Sequence, residues 1–185
     1  MIKDVLAEAR ARMEKSVDAL ENDLATIRTG RASPALVERL TVEYYDTPTN
    51  LRELALISAP EPQLLTIRPF DPSAIKNIER AILQSDLGLT PNNDGKMIRL
   101  QIPGLTEERR RELIKVVARR VEEGRVAVRN CRRDAIKDLQ EFEKEKLISE
   151  DDFYSGKDDL QELTDEYIKT IDTLGRDKEQ EILEI

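Results

Sequence analysis

The chain has 185 residues, of which 37% are charged and 4% aromatic, with a net charge of −8, one cysteine and no histidine. That length supports one or two domains with a real core. The missing histidine removes the commonest general base and metal ligand, and a lone cysteine excludes an internal disulfide and points to a reducing compartment.

Ile2, Leu6, Ala9, Met13, Val17, Leu20, Leu24 and Ile27 recur in steps of three and four and predict a first amphipathic helix. Gly30 is its expected stop, near Thr29-Gly30. Such a helix is ~40 Å long and, with one apolar face, needs partners. The first residues show no basic start followed by an apolar run, and no stretch is long enough to span a bilayer, so a soluble, cytoplasmic protein is expected.

The texture changes from Arg31 to Pro103, which holds all eight prolines. Leu40–Tyr45, Leu54–Ile57, Leu64–Ile67 and Met97–Ile102 read as strands. Asp46–Asn50 and Asn92–Gly95 read as turns. Asp71-Pro72 starts a helix carrying Ile75, Ile78 and Ile82 on one face, stopping near Leu87-Gly88. A compact domain over 31–103 is therefore inserted into a helical frame formed by 1–29 and 105–185. Its crossings, Thr29-Gly30-Arg31 and Pro103-Gly104-Leu105, read as a hinge; the plainer alternative is that both glycines only punctuate a helix and a turn.

A central helix is predicted from about Thr106 to Lys146, its first turn acidic at Glu107 and Glu108. Val117, Val121, Gly124, Val128, Cys131, Ala135, Leu139 and Phe142 form its seam. Arg125, Arg129, Arg132 and Arg133 fall on a flank beside that seam at 100° per residue. After a turn near Leu147-Ile148, Ser149 and its acidic followers cap a third helix with Leu160, Leu163, Tyr167, Ile171, Leu174 and Ile182 as seam. The fold class is thus α+β in two domains: a long antiparallel three-helix bundle with an inserted small β/α/β domain.

Charge is unevenly spread. Residues 109–137 hold 11 Lys/Arg against 4 Asp/Glu, whereas residues 138–185 hold 6 against 17. A basic block inside an acidic protein suits local phosphate binding while discouraging unspecific association. The same pattern fits arginines paired with acidic neighbours on adjacent helices, and charge alone leaves both open. Few aromatics are available for stacking, so an RNA partner would be read through folded shape and backbone. Arg110, Arg28 and Arg31 form a second tier of candidate RNA contacts.

No catalytic residue and no metal site is expected. Glycine-rich phosphate loops and dinucleotide fingerprints are absent from the sequence. Residues from Asp151 to Glu162 mimic the spacing of a calcium loop, but Phe153 stands where an oxygen ligand is required. Cys131 lies on the seam, as an inert buried thiol does.

Ile27–Pro34, Val42–Tyr45, Ser85–Leu89, Leu105–Arg110, Arg125–Asn130 with Arg132-Arg133-Asp134, and Ile148–Asp152 together resemble the ribosome recycling factor family. The matches are in order and spread over the whole chain. The resemblance implies an L-shaped molecule that enters the ribosome after peptide release. With elongation factor G and GTP it would split the ribosome into subunits, freeing it from messenger RNA. GTP would be hydrolysed by the elongation factor, so this chain would hold no cofactor of its own and be no enzyme. The bundle would lie on large-subunit ribosomal RNA over the A and P sites, and the small domain would face the elongation factor. A monomer is expected, with no DNA or membrane partner. A helical adaptor that binds another protein through its acidic third helix is the competing reading; it leaves the arginine row without a role.

Overall fold

The computed structural model describes residues 1–184, which divide into two compact units, 1–28 with 107–184 and 29–106. The larger unit is built from three helices: α1 (Ile2–Ala25), α4 (Glu107–Lys144) and α5 (Glu150–Leu183). Their seams bury Val5, Ala9, Met13, Val17, Leu20 and Leu24 of α1 against Leu113, Val117, Val121, Val128, Cys131, Ala135 and Leu139 of α4. Phe153, Leu160, Leu163, Ile171 and Ile182 of α5 complete the core. Ion pairs Arg12–Asp134 (2.8 Å) and Asp23–Arg120 (2.5 Å) fix α1 antiparallel to α4.

Two details of this unit differ from the sequence reading. α1 stops at Ala25, short of Thr29-Gly30: Thr26 folds its N–H and hydroxyl back onto Asp23, and Ile27 N–H onto Leu24. Three β-branched residues between Thr26 and Thr29 favour leaving the helix there. On α5, Tyr167 and Leu174 are only half-buried, and Thr164 and Gly175 take core positions with the leucines and isoleucines. Thr164 satisfies its hydroxyl on the Leu160 carbonyl at 2.6 Å, so burying it costs little.

The reversal between α4 and α5 is chemically specified. Lys146 takes φ +59° and Leu147 N–H donates to Phe142 O at 2.9 Å, the bond of a Schellman end. Ser149 accepts from Asp152 N–H while the Asp152 carboxylate accepts from Ser149 N–H, a reciprocal cap. α5 is thereby started on the residue the sequence pointed to.

The smaller unit holds a four-stranded antiparallel sheet in the order β3 (Ala55–Glu61), β4 (Leu64–Pro69), β6 (Ile98–Gln101), β5 (Pro91–Asn93). A separate hairpin joins β1 (Thr41–Tyr44) to β2 (Thr47–Asn50) through Tyr45 and Asp46, both at positive φ as a two-residue turn demands. α2 is a single turn, Leu51–Leu54, and α3 spans Ile75–Gln84. Leu65, Ile67, Ile98 and Leu100 meet Ile75, Ile78, Ile82, Val37, Val42 and Leu51 in one buried cluster. Two segments expected as turns overlap strands: Asp46–Asn50 contains β2, and Asn92–Gly95 takes in the end of β5. Pro48 and Pro91 sit there, and both strands have a partner on one side only, where a missing N–H is tolerated. Asp71 caps a 3-10 turn, Pro72–Ala74, that leads into α3, accepting from Ser73 N–H (2.9 Å) and Ser73 Oγ (2.8 Å) and from Tyr44 Oη (2.8 Å). α3 ends at Gln84, short of the expected stop near Leu87-Gly88.

All six expected hinge residues belong to the smaller unit. Gly30 adopts φ +74°, and a Cβ there would lie 3.3 Å from both Leu105 N and Pro103 O, so only glycine fits the crossing. Ala32 N–H donates to Pro62 O and Ile102 N–H to Gln63 O, tying both crossings to the β3–β4 turn. Thr29, Gly30, Arg31, Pro103, Gly104 and Leu105 are thus stitched together, and the unit boundaries fall outside them, at Arg28/Thr29 and Thr106/Glu107.

Stability is expected to respond to acid and to little else on the pH scale. Backbone N–H groups of Met97 and Lys96 lower the pKa of Asp94, those of Ser73 with Tyr44 lower Asp71, and Arg12 lowers Asp134. A depressed folded-state pKa contributes stability above the unfolded value of about 4 and loses it as pH falls through the folded value. Urea midpoints should therefore be level between about pH 5 and 7, where a chain without histidine has no side chain of ordinary pKa to titrate, and drop below about pH 4. A midpoint that shifts between pH 5 and 7 would contradict this.

Candidate nucleic-acid interface

The arginine row lies along one long helix whose orientation is set by its buried seam, so each guanidinium has a defined address. Arg125, at the edge facing α5, donates from Nε to Asp172 Oδ1 (2.8 Å), with Nη2 in ion-pair contact with the same oxygen (2.6 Å), and from Nη1 to Glu122 Oε2 (2.9 Å). Its side chain keeps 32% exposure, and Glu122 and then Asp172 raise its pKa above the ordinary value. Arg129, one turn on and 42% exposed, donates from Nη1 to Glu122 Oε1 at 3.2 Å. Arg132 returns to the α5 side, where Nη1 meets Gln161 Oε1, itself part of a carboxamide bonded to Asp165 (2.9 Å). The Arg132 Nε is buried without a protein partner.

Arg133 is the outlier. It is exposed, and among the described residues it makes no hydrogen bond or ion pair. Of the two readings the charge pattern left open, pairing with neighbours is seen for three of the four arginines. Arg125, Arg129 and Arg132 are engaged with neighbours, yet none is sealed from water, and Arg133 is touched only by the charge of the neighbouring Asp134. Guanidiniums held at their stems and edges by exposed partners lose little entropy on exchanging them for phosphate, and the planar fork suits a bidentate oxyanion.

The second tier fares differently. Arg110 donates from Nη1 to the Leu183 carbonyl (3.2 Å), and its Nε is buried and unpartnered, so it caps the end of α5. Arg28 and Arg31 are exposed on opposite sides of the boundary between the units. Three cations were missed. Lys115, Arg119 and Lys137 are exposed and share the outward face of α4 with Arg133, along with Val126 at 42% exposure. The same 100° periodicity that defines the flank would have found them. Ion pairs on this face are long, Arg119–Glu123 and Lys137–Asp134 both at 4.0 Å, and contribute little in water.

No His/Cys/Asp/Glu group able to hold a metal ion occurs among the described residues, and no described helix is long and apolar enough to cross a membrane. The chain matches the family model "Ribosome recycling factor" over residues 20–183. The chain belongs to the ribosome recycling factor family. Curated relatives called ribosome-recycling factor include those of Roseiflexus castenholzii (55% identical) and Bacillus subtilis (52%), each aligned over 100% of both chains. Among solved structures, a solution structure of the ribosome recycling factor matches at 42% identity and TM-score 0.75, covering 100% of this chain and 98% of that one. A second pairs T. thermophilus ribosome recycling factor with E. coli elongation factor G on the E. coli post-termination complex. It matches at 46% identity and TM-score 0.64, covering 99% of each chain. Members of the family are translation factors and not enzymes.

Proposed function

We propose that this chain recycles ribosomes by laying the outward flank of α4 on large-subunit ribosomal RNA while elongation factor G, hydrolysing GTP, acts on the smaller unit. The exposure of Arg133 on a helix otherwise held in a stiff bundle is the observation that carries the reading. A cation that makes no hydrogen bond or ion pair among the described residues, beside Arg129 and Arg132 whose partners are exposed, is a ready phosphate ligand. The chain works as a monomer in the cytoplasm and holds no cofactor. Bending between the units occurs at the two passages of the chain, about residues 26–28 and 106–107, since the stitched glycine segments move with the smaller unit.

Counterion release supplies the test. With four to six arginines and lysines on phosphates, binding to isolated large subunits should fall with salt at a log–log slope of roughly −3 to −5. The slope is read from titrations between low and high potassium chloride. A flat profile would exclude the arginine flank as the main contact.

A further inference from the structure

Glu122 stands in the middle of the proposed RNA surface, and its sign is the wrong one for that place. It is 52% exposed, and each of its oxygens accepts from a different arginine: Oε2 from Arg125 Nη1 and Oε1 from Arg129 Nη1. Arg125 has a second anchor in Asp172. Arg129 has none among the described residues. The two guanidiniums, Arg125 first, hold the Glu122 carboxyl below the usual carboxylate range, so the clasp is charged wherever the protein is folded and working. No core contact depends on it, and exposed pairs of this kind are cheap to break.

We propose that Glu122 is a built-in competitor for ribosomal RNA: it occupies Arg129 and one edge of Arg125 in the free factor, yields them to phosphate on the ribosome, and reclaims them as the factor leaves. The inference rests on the reading that the α4 flank binds RNA. A carboxylate that must be displaced weakens binding, and it weakens chance binding to any polyanion, whose scattered phosphates do not match the arginine spacing. A factor that has to leave after each round gains turnover from such a device. Glu122 acts through the arginines and would be a positioning residue, touching no RNA in the bound state.

The test uses full-length protein and isolated large ribosomal subunits. Glu122→Gln should bind about three- to tenfold tighter at moderate salt, mostly through slower release, with a salt slope steeper by about one. Glu122→Asp, which keeps the charge, should return toward the parent affinity. In an Arg129→Gln background the gain from Glu122→Gln should fall by at least half, because the clasp it releases is already open. Unchanged or weaker binding by folded Glu122→Gln overturns the proposal, as does a gain that persists undiminished without Arg129. If Arg129→Ala and Arg133→Ala also leave binding unchanged, the RNA-binding reading itself has failed, a result distinguishable from failure of the competitor alone.

Discussion

Replacing Arg129, Arg132 and Arg133 together with alanine is expected to weaken binding to large ribosomal subunits by about 100-fold or more. Each charge-assisted contact to phosphate is worth about 1.5–3 kcal/mol, and the internal bonds given up by Arg129 and Arg132 return part of that, leaving about 1 kcal/mol per residue. Arg133 surrenders no internal bond, so Arg133→Ala should show the largest single effect of the three. Salt dependence adds an independent reading: the triple variant should lose about three from the log–log slope, one per phosphate contact. Circular dichroism should show the same melting as the parent, because none of the three side chains is part of the buried seam. If affinity and slope both stay within error of the parent, the row makes no RNA contact.

The bundle that holds this row is expected to fail at Gly175. A Cβ placed there would lie 2.7 Å from Val121 Cγ2 and 3.6 Å from its Cγ1, a distance at which something must move. Val121 is β-branched and fixed in one rotamer by its own helix, so it cannot swing aside. Gly175→Ala sets that clash against a gain of about 1 kcal/mol in helix propensity, which blunts the readout. Gly175→Leu carries no such ambiguity and should cost about 3 kcal/mol or more, by forcing α5 off α4. The bundle's melting transition should fall by about 12 °C or more. The smaller unit has its own core and should melt where it did before. A bundle transition unmoved by Gly175→Leu would mean that α4 and α5 are not packed at this distance.

Much of this was readable from the chain, for reasons that differ between its parts. The bundle announces itself because 3.6-residue periodicity over more than thirty positions averages away local noise; Ser149 and Asp152 mark the start of α5 by a reciprocal cap that sequence spacing encodes directly. The smaller unit was read less well. β2 and β5 are three or four residues long, contain Pro48 and Pro91, and are held by pairing with β1 and β6, a non-local cause that no short window contains. α1 was read four residues too long because Ile27 continues the apolar spacing, while Thr26 had already folded its hydroxyl onto Asp23. At the site, the position of each arginine followed from helical geometry, but its partners did not. Asp172 and Gln161 lie on α5, 47 and 29 residues away from the arginines they hold. Glu122, by contrast, lies three residues before Arg125 and was visible as a helical neighbour from the start.

The most direct measurement is light scattering of post-termination ribosomes mixed with elongation factor G, GTP and limiting amounts of this protein. Scattering should fall as subunits part only when all three are present. The Arg129, Arg132, Arg133 triple-alanine variant should leave it nearly level while keeping its fold. Splitting by that variant at the parent rate, at the same limiting concentration, would contradict the claim that the outward flank of α4 is what grips the ribosome.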